Sequence, residues 1–277
     1  MNSVRPRRSL GQNFLVDGNI QRAIVDALEP GATDEVLEIG PGRGALTRHL
    51  AGRVHRLTVI EKDPVLAAQL ERQLAGTTGL SMIVADALRT PPAVAGDPER
   101  LKIIGNIPYN ITSPLLFHLL DRPHRPALIV IMVQAEVADR ILARPGTGEY
   151  GALSVGVRAV AHVERVMRVG RDAFRPRPGV DSAVLRITPI RPFPLTAQEE
   201  DDLRSLTRTA FAWRRKQLGH TLRAAPGYGL DEHAVEHVVA AAGAAPRDRA
   251  ETLDPAAFIR LARALRARGL PHPESVA

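Results

Sequence analysis

Short apolar runs at residues 36–39, 57–60, 82–85, 103–105 and 127–133 alternate with helical patterns at 45–50, 65–74 and 114–120. The runs are strand-length and have no polar face, so the spacing predicts a mostly parallel sheet covered by helices on both sides. A first amphipathic helix is expected over 20–28, ending before Pro30-Gly31. Further on, 151–168 reads as a helix followed by a strand, 182–187 as a closing strand and 91–98 as a loop. The proline-rich stretch 189–194 breaks the alternation, and beyond it only helical patterns recur, around 199–211, 232–241 and 255–268. A chain of 277 residues exceeds the commonest domain size. The expected organisation is an α/β domain over 1–194 and a small all-helical domain over 195–277.

The net charge of +7 and a pI near 10.6 favour a polyanionic partner, because clustered cations displace counterions from phosphates. Arginine far outnumbers lysine, which a biased genome alone could produce, but such bias does not create an excess of positive over negative charge. Cysteine is absent, which excludes disulfides and thiolate metal sites and fits a reducing cytoplasm. Residues 1–11 are basic but no apolar core follows them, and no membrane-length apolar run occurs. Neither a signal peptide nor a membrane anchor is expected. The nine histidines show no ligand spacing, so no metal site is expected.

The segment Glu38-Ile39-Gly40-Pro41-Gly42-Arg43-Gly44 falls between a predicted strand and a helix. Glycines there permit a tight turn and a close approach of ligand to backbone. Glu61, ending the next strand, is placed to hold both hydroxyls of a ribose. These features point to a nucleoside-containing cofactor without saying which; Gly40, Gly42 and Ala45 also satisfy a relaxed dinucleotide pattern, so a nicotinamide dehydrogenase stays open. Asp86, closing the third strand, could accept a hydrogen bond from an adenine amino group.

Asn106-Ile107-Pro108-Tyr109 follows the fourth strand. The Asn106 side-chain oxygen and the Pro108 carbonyl offer two acceptors for the hydrogens of an exocyclic amine, whose lone pair is otherwise delocalised into its ring. Proline presents that carbonyl rigidly, and Tyr109 offers a face on which an extruded base can stack. Such a site needs no strong base.

With these motifs in place, the sequence resembles the ribosomal RNA adenine N6-dimethyltransferase family, and within it the bacterial small-subunit branch associated with kasugamycin sensitivity. The likeness runs through Gly11-Gln12-Asn13-Phe14-Leu15, residues 38–47, Asn106 to Thr112, residues 134–138, Glu149-Tyr150-Gly151, residues 174–182 and Phe211-Ala212-Trp213-Arg214-Arg215-Lys216. One departure is Ala135, where the family commonly has lysine. The resemblance implies a Rossmann-like class I methyltransferase sheet with a small C-terminal helical domain, and S-adenosylmethionine as methyl donor. It implies donor contacts from Asn13, Leu15, Gly40, Glu61, Asp86 and Asn106. It implies a catalytic set of Asn106, Pro108, Tyr109 and Phe174, with Phe174 packed on the face of the target adenine opposite Tyr109.

Arg175 and Arg177 suit RNA phosphates, as do Arg214, Arg215 and Lys216. The implied substrate is two adjacent adenosines in the hairpin loop near the 3′ end of small-subunit ribosomal RNA, each methylated twice within a pre-30S particle, by a monomer. The alternatives are a large-subunit methylase of the macrolide-resistance type and a non-catalytic RNA-binding assembly factor. Intact Asn106, Pro108 and Tyr109 argue against the latter. A dehydrogenase is least favoured, because nothing after the fourth strand suggests hydride chemistry.

Overall fold

A computed structural model describes residues 12–122 and 125–270. The basic segment 1–11, including Gly11 of the opening motif, lies outside the described residues. The chain divides into two compact units, one comprising residues through Ala138 with His162–Pro189, the other Asp139–Ala161 with the residues from Ile190 onward. Residues 139–161 thus group with the second unit although they interrupt the first in sequence.

In the first unit, strands β1 (Phe14–Leu15), β2 (Glu35–Ile39), β3 (Arg56–Glu61), β4 (Leu80–Val84), β5 (Lys102–Asn106) and β6 (Leu128–Gln134) are followed by β7 (Ala161–Val169), β8 (Phe174–Arg175) and β9 (Ser182–Pro189). Helices α1 (Gly18–Ala27), α2 (Thr47–Leu50), α3 (Pro64–Gln73) and α4 (Thr112–Leu120) separate them, and α5 (Ala135–Leu142) leads into the second unit. A seven-stranded sheet has the order β4-β3-β2-β5-β6-β9-β7, and β1 pairs with β8 apart from it. Strands β2 to β6 are parallel, while β9 returns antiparallel beside β6. Every residue of β6 but Gln134 is buried, as the continuous apolar run requires, whereas β7 alternates between exposed and covered positions.

Local chemistry sets the helix ends. Asp17 accepts from the backbone N–H of Asn19 and Ile20 at 2.9 and 3.2 Å, starting α1 two residues before the expected 20–28. Asp63 caps α3 with Pro64 in its first turn, where a missing N–H costs nothing. The expected helix at 45–50 shrinks to the single turn of α2, and the expected loop at 91–98 carries a short 3-10 turn, Pro92–Ala95. Ile24, Val25 and Leu28 of α1 pack with Val36, Val59, Ile104, Val130 and Met132 of the sheet. Each such side chain stabilises the fold by about 1.5–3 kcal/mol on burial.

The second unit is helical: α6 (Ala152–Arg158), α7 (Ala197–Ala212), α8 (Leu218–Ala224), α9 (Glu232–Ala241) and α10 (Pro255–Arg266). Thr196 and Glu199 form a reciprocal capping box at the start of α7. Tyr150 meets Phe211 edge-on at 5.9 Å, Phe211 stacks on Phe258 at 5.7 Å, and the Tyr150 hydroxyl donates to the Leu253 carbonyl at 2.7 Å. Among the described residues no helix is long and apolar enough to cross a membrane.

Candidate active site

The strand order reverses direction between β2 and β5: from β2 the chain moves outward to β3 and β4, and from β5 it moves the other way to β6. Helices and loops leaving the carboxyl ends of two such strands diverge and leave a crevice, the usual ligand site of an open parallel sheet. Register places Ile39 beside Gly105, so the glycine segment after β2 and the Asn106 segment after β5 emerge side by side. Gly105 is required there, because a Cβ on it would sit 2.6 Å from the Ile39 carbonyl oxygen. A cleft of about 580 Å³ opens at this edge, within the size range of nucleoside-type ligand sites. Asn13, Leu15, Gly40, Glu61, Asp86, Asn106, Pro108 and Tyr109 all line it.

Glu61 accepts from the Gly42 N–H at 3.1 Å through Oε2 and from the Asp63 N–H at 2.9 Å through Oε1. Gly42 has φ +57°, and a Cβ on it would lie 3.1 Å from the Phe14 ring. The acid therefore ties the glycine turn to the end of β3, and each oxygen keeps a lone pair for a ligand hydroxyl. Burial raises the Glu61 carboxyl above its ordinary value against the pull of these N–H groups. Asp86 accepts from the Leu88 N–H at 3.0 Å and from Lys62 Nζ at 2.9 Å. The Lys62 ammonium holds its carboxyl below the usual range.

Glu38 is different. It lines the same cleft at 1% exposure, and its Oε2 has no hydrogen-bond partner. Burial pushes this carboxyl up to about 8, with Glu61 adding to the effect and Thr47 and Arg48 opposing it.

Asn106 donates through Nδ2 to the Asn13 carbonyl at 3.1 Å. A carbonyl can only accept, so the amide is oriented with nitrogen toward Asn13 and Oδ1 remains an acceptor. The Pro108 carbonyl is partly committed: the Ile111 N–H donates to it at 3.1 Å and the Thr112 hydroxyl lies at 3.5 Å. The Tyr109 hydroxyl is 2.9 Å from Ser182 Oγ.

The sequence profile of the ribosomal RNA adenine dimethylase family matches residues 3–261. This chain belongs to that family. A small-subunit ribosomal RNA methyltransferase A from Moorella thermoacetica is 44% identical over 270 residues, covering 94% of this chain and 92% of the relative. Among solved structures, a dimethyladenosine transferase from Plasmodium falciparum superposes with a TM-score of 0.78 at 27% identity, covering 93% of this chain and 98% of that one. The 23S rRNA methyltransferase ErmE superposes with a TM-score of 0.69 at 30% identity, covering 92% and 100%.

The dimethylase does not bring every expected residue to the cleft. Phe174 is fully buried, packed with Leu15, Val169, Ala173 and Val184, and does not line the cavity. β8 pairs Phe174 with Leu15, and the apolar core claims the area of its ring. Arg214 is likewise spent on structure: Nε meets Glu251 at 2.6 Å, and its terminal nitrogens donate to the Gly148 and Thr147 carbonyls at 2.8 and 3.0 Å. These three bonds brace Arg214 within the helical unit and leave two of its five N–H donors uncommitted.

Arg215 and Lys216, the next two residues, are exposed. Arg175 is exposed with one guanidinium nitrogen on the Asp172 and Phe174 carbonyls, and Arg177 pairs with Asp172 at 3.0 Å on the surface. Exposed pairs of this kind release readily to a phosphate.

Sequence reasoning overlooked Lys62, the Arg43 guanidinium stacked 4.4 Å over the Phe14 ring, and the link from Ser182 to Tyr109. No periodicity or spacing signals these, because the partners lie far apart in the chain. It also missed the β1 and β8 pair and helices α5 and α8.

Proposed function

We infer that this dimethylase transfers methyl groups from S-adenosylmethionine to N6 of two adjacent adenosines in the 3′-terminal hairpin loop of small-subunit ribosomal RNA, giving N6,N6-dimethyladenosine. The observation that carries the reading is the Asn106 amide, oriented by Asn13 so that its oxygen accepts at the mouth of a nucleoside-sized cleft. The donor supplies an electrophilic methyl group.

The cleft fits such a group. Glu61 offers paired acceptors for a ribose, Asp86 an acceptor for an adenine amine, and the turn at Gly40 and Gly42 a close backbone approach. The unpartnered Glu38 oxygen leaves polar capacity deep in the pocket. On the acceptor side, Asn106 Oδ1 takes one hydrogen of the target amine and, with the Thr112 hydroxyl turned to the Tyr109 carbonyl at 3.4 Å, the second lone pair of the Pro108 carbonyl takes the other. In the first transfer, holding both hydrogens turns the nitrogen lone pair out of conjugation and toward the donor. Each methylation releases one proton from the nitrogen to solvent, and in the second transfer one acceptor holds the hydrogen that remains. Tyr109 stacks against the extruded base. Rate gain comes from orientation and from favouring the positive charge that develops on nitrogen.

Arg175, Arg177, Arg215 and Lys216 contact RNA phosphates, with residues 1–194 supplying catalysis and 195–277 binding substrate. The chain acts as a monomer in the cytoplasm on a pre-30S particle during small-subunit biogenesis. The likeness to ErmE keeps a large-subunit target as the second reading, although the small-subunit relative is more similar in sequence, at 44% against 30% identity. Incubating the protein with unmodified ribosomal subunits and labelled donor, then mapping fragments by mass spectrometry, separates the two. Label confined to large-subunit RNA would reverse the assignment, and no label would remove it.

A further inference from the structure

We propose that Ser182 is a positioning residue for methyl transfer, its hydroxyl pinning Tyr109 so that the ring presents one fixed face to the target base. The inference rests on the function proposed above and adds a residue to it.

Tyr109 opens a three-residue 3-10 turn, Tyr109–Ile111, immediately after Pro108. That turn sets the backbone but leaves the side chain free to swing, since its ring is only half buried at the cleft. The bond that restrains the ring comes from elsewhere. Ser182 lies 73 residues away at the head of β9, is fully buried, and sits 2.9 Å from the phenol oxygen.

The Ser182 backbone is itself immobilised. Its Cα partner across the sheet is Gln134 of β6, and the adjoining Asp181 carbonyl accepts the Ala135 N–H at 2.9 Å. Asp181 Oδ1 also accepts the Arg171 N–H at 3.1 Å, tying the strand head to the segment that carries Arg175 and Arg177. A ring tethered through its para oxygen to a sheet strand loses little further freedom when a base stacks on it. The cost of ordering the platform is met in folding and not at each turnover. Burial keeps the phenol protonated well past neutrality, so the tether persists across the working range of pH.

The test is a double-mutant cycle on methyl transfer to unmodified small ribosomal subunits with labelled S-adenosylmethionine. Ser182→Ala and Tyr109→Phe should each lower kcat about fivefold, the worth of one buried hydrogen bond, with the donor KM unchanged. The combined variant should be no slower than either single one. Ser182→Thr should recover most of the loss.

Equal and independent losses that multiply in the combined variant would overturn the proposal, because Ser182 would then act through something other than the tyrosine. If Ser182→Ala does not fold, Tyr109→Phe decides alone, and wild-type turnover in that variant overturns the tether. Tyr109→Ala tests the underlying reading separately. Full activity without the ring would remove stacking itself, whereas a large loss beside a silent Tyr109→Phe would remove only the role of Ser182.

Discussion

The Asn106 side-chain nitrogen and the Asn13 carbonyl oxygen, 93 residues apart, meet at 3.1 Å. This contact uses the donor half of the amide and reserves the acceptor half for the cleft, so a side chain that could face two ways has one orientation. Asn106→Ala is expected to lower transfer about 100-fold or more, the scale for losing a preorganised polar group at a reacting centre, while RNA binding stays near wild type. Single-turnover transfer and filter binding on the same preparation check both halves. Wild-type turnover in the variant would defeat the mechanism.

Asp86 and Lys62 form an ion pair at the cleft rim, with the lysine side chain 61% exposed. Water screens such a pair, so its loss is cheap, whereas loss of the acceptor is not. Asp86→Ala should weaken S-adenosylmethionine binding about tenfold, and Lys62→Ala by less than about threefold. Calorimetric titration of both variants measures the contrast. Equal losses would mean that the lysine, not the aspartate, meets the donor.

The buried Glu38 carboxyl, raised by desolvation to about 8 from an ordinary 4.5, binds a proton in the folded chain that the unfolded chain has released. Its contribution to stability is therefore complete below the unfolded value and is lost as pH rises through the folded one. The loss is on the order of a few kcal/mol. Urea unfolding should show stability falling between about pH 5 and pH 8.5, and Glu38→Gln, which mimics the neutral acid, should flatten that slope. Parallel pH profiles for the two proteins would rule out Glu38 as the source.

Arg214 and its two neighbours should separate by experiment. Arg214→Ala removes bonds to Glu251, Gly148 and Thr147 and is expected to cost about 2–3 kcal/mol of stability in denaturant unfolding. Charge reversal at Arg215 and Lys216 should leave unfolding unchanged but weaken RNA binding and reduce its salt slope by about one or two. An unaltered salt slope would remove Arg215 and Lys216 from the RNA footprint.

Much of this architecture is legible in one dimension because it rests on local causes. Apolar runs of strand length become β2 to β6, proline and aspartate mark where α3 and α10 begin, and the glycines after β2 announce a tight turn before any neighbour is known. Residue types alone also point to the chemistry of Asn106, Pro108, Tyr109, Glu61 and Asp86, since acceptors and an aromatic ring carry their capacities wherever they are placed.

Tertiary structure decided which of those capacities are still open. Strand order sets β5 against β2 and so brings Asn106 beside the glycine turn. The β1 and β8 pair draws Phe174 into the core, two carbonyls from a distant loop accept from the Arg214 guanidinium, and Ser182 arrives at Tyr109 from an antiparallel strand. A hydrogen-bonding group or a ring can satisfy only a few partners. Which partners reach it first depends on how distant segments pack, and no local pattern in the chain encodes that.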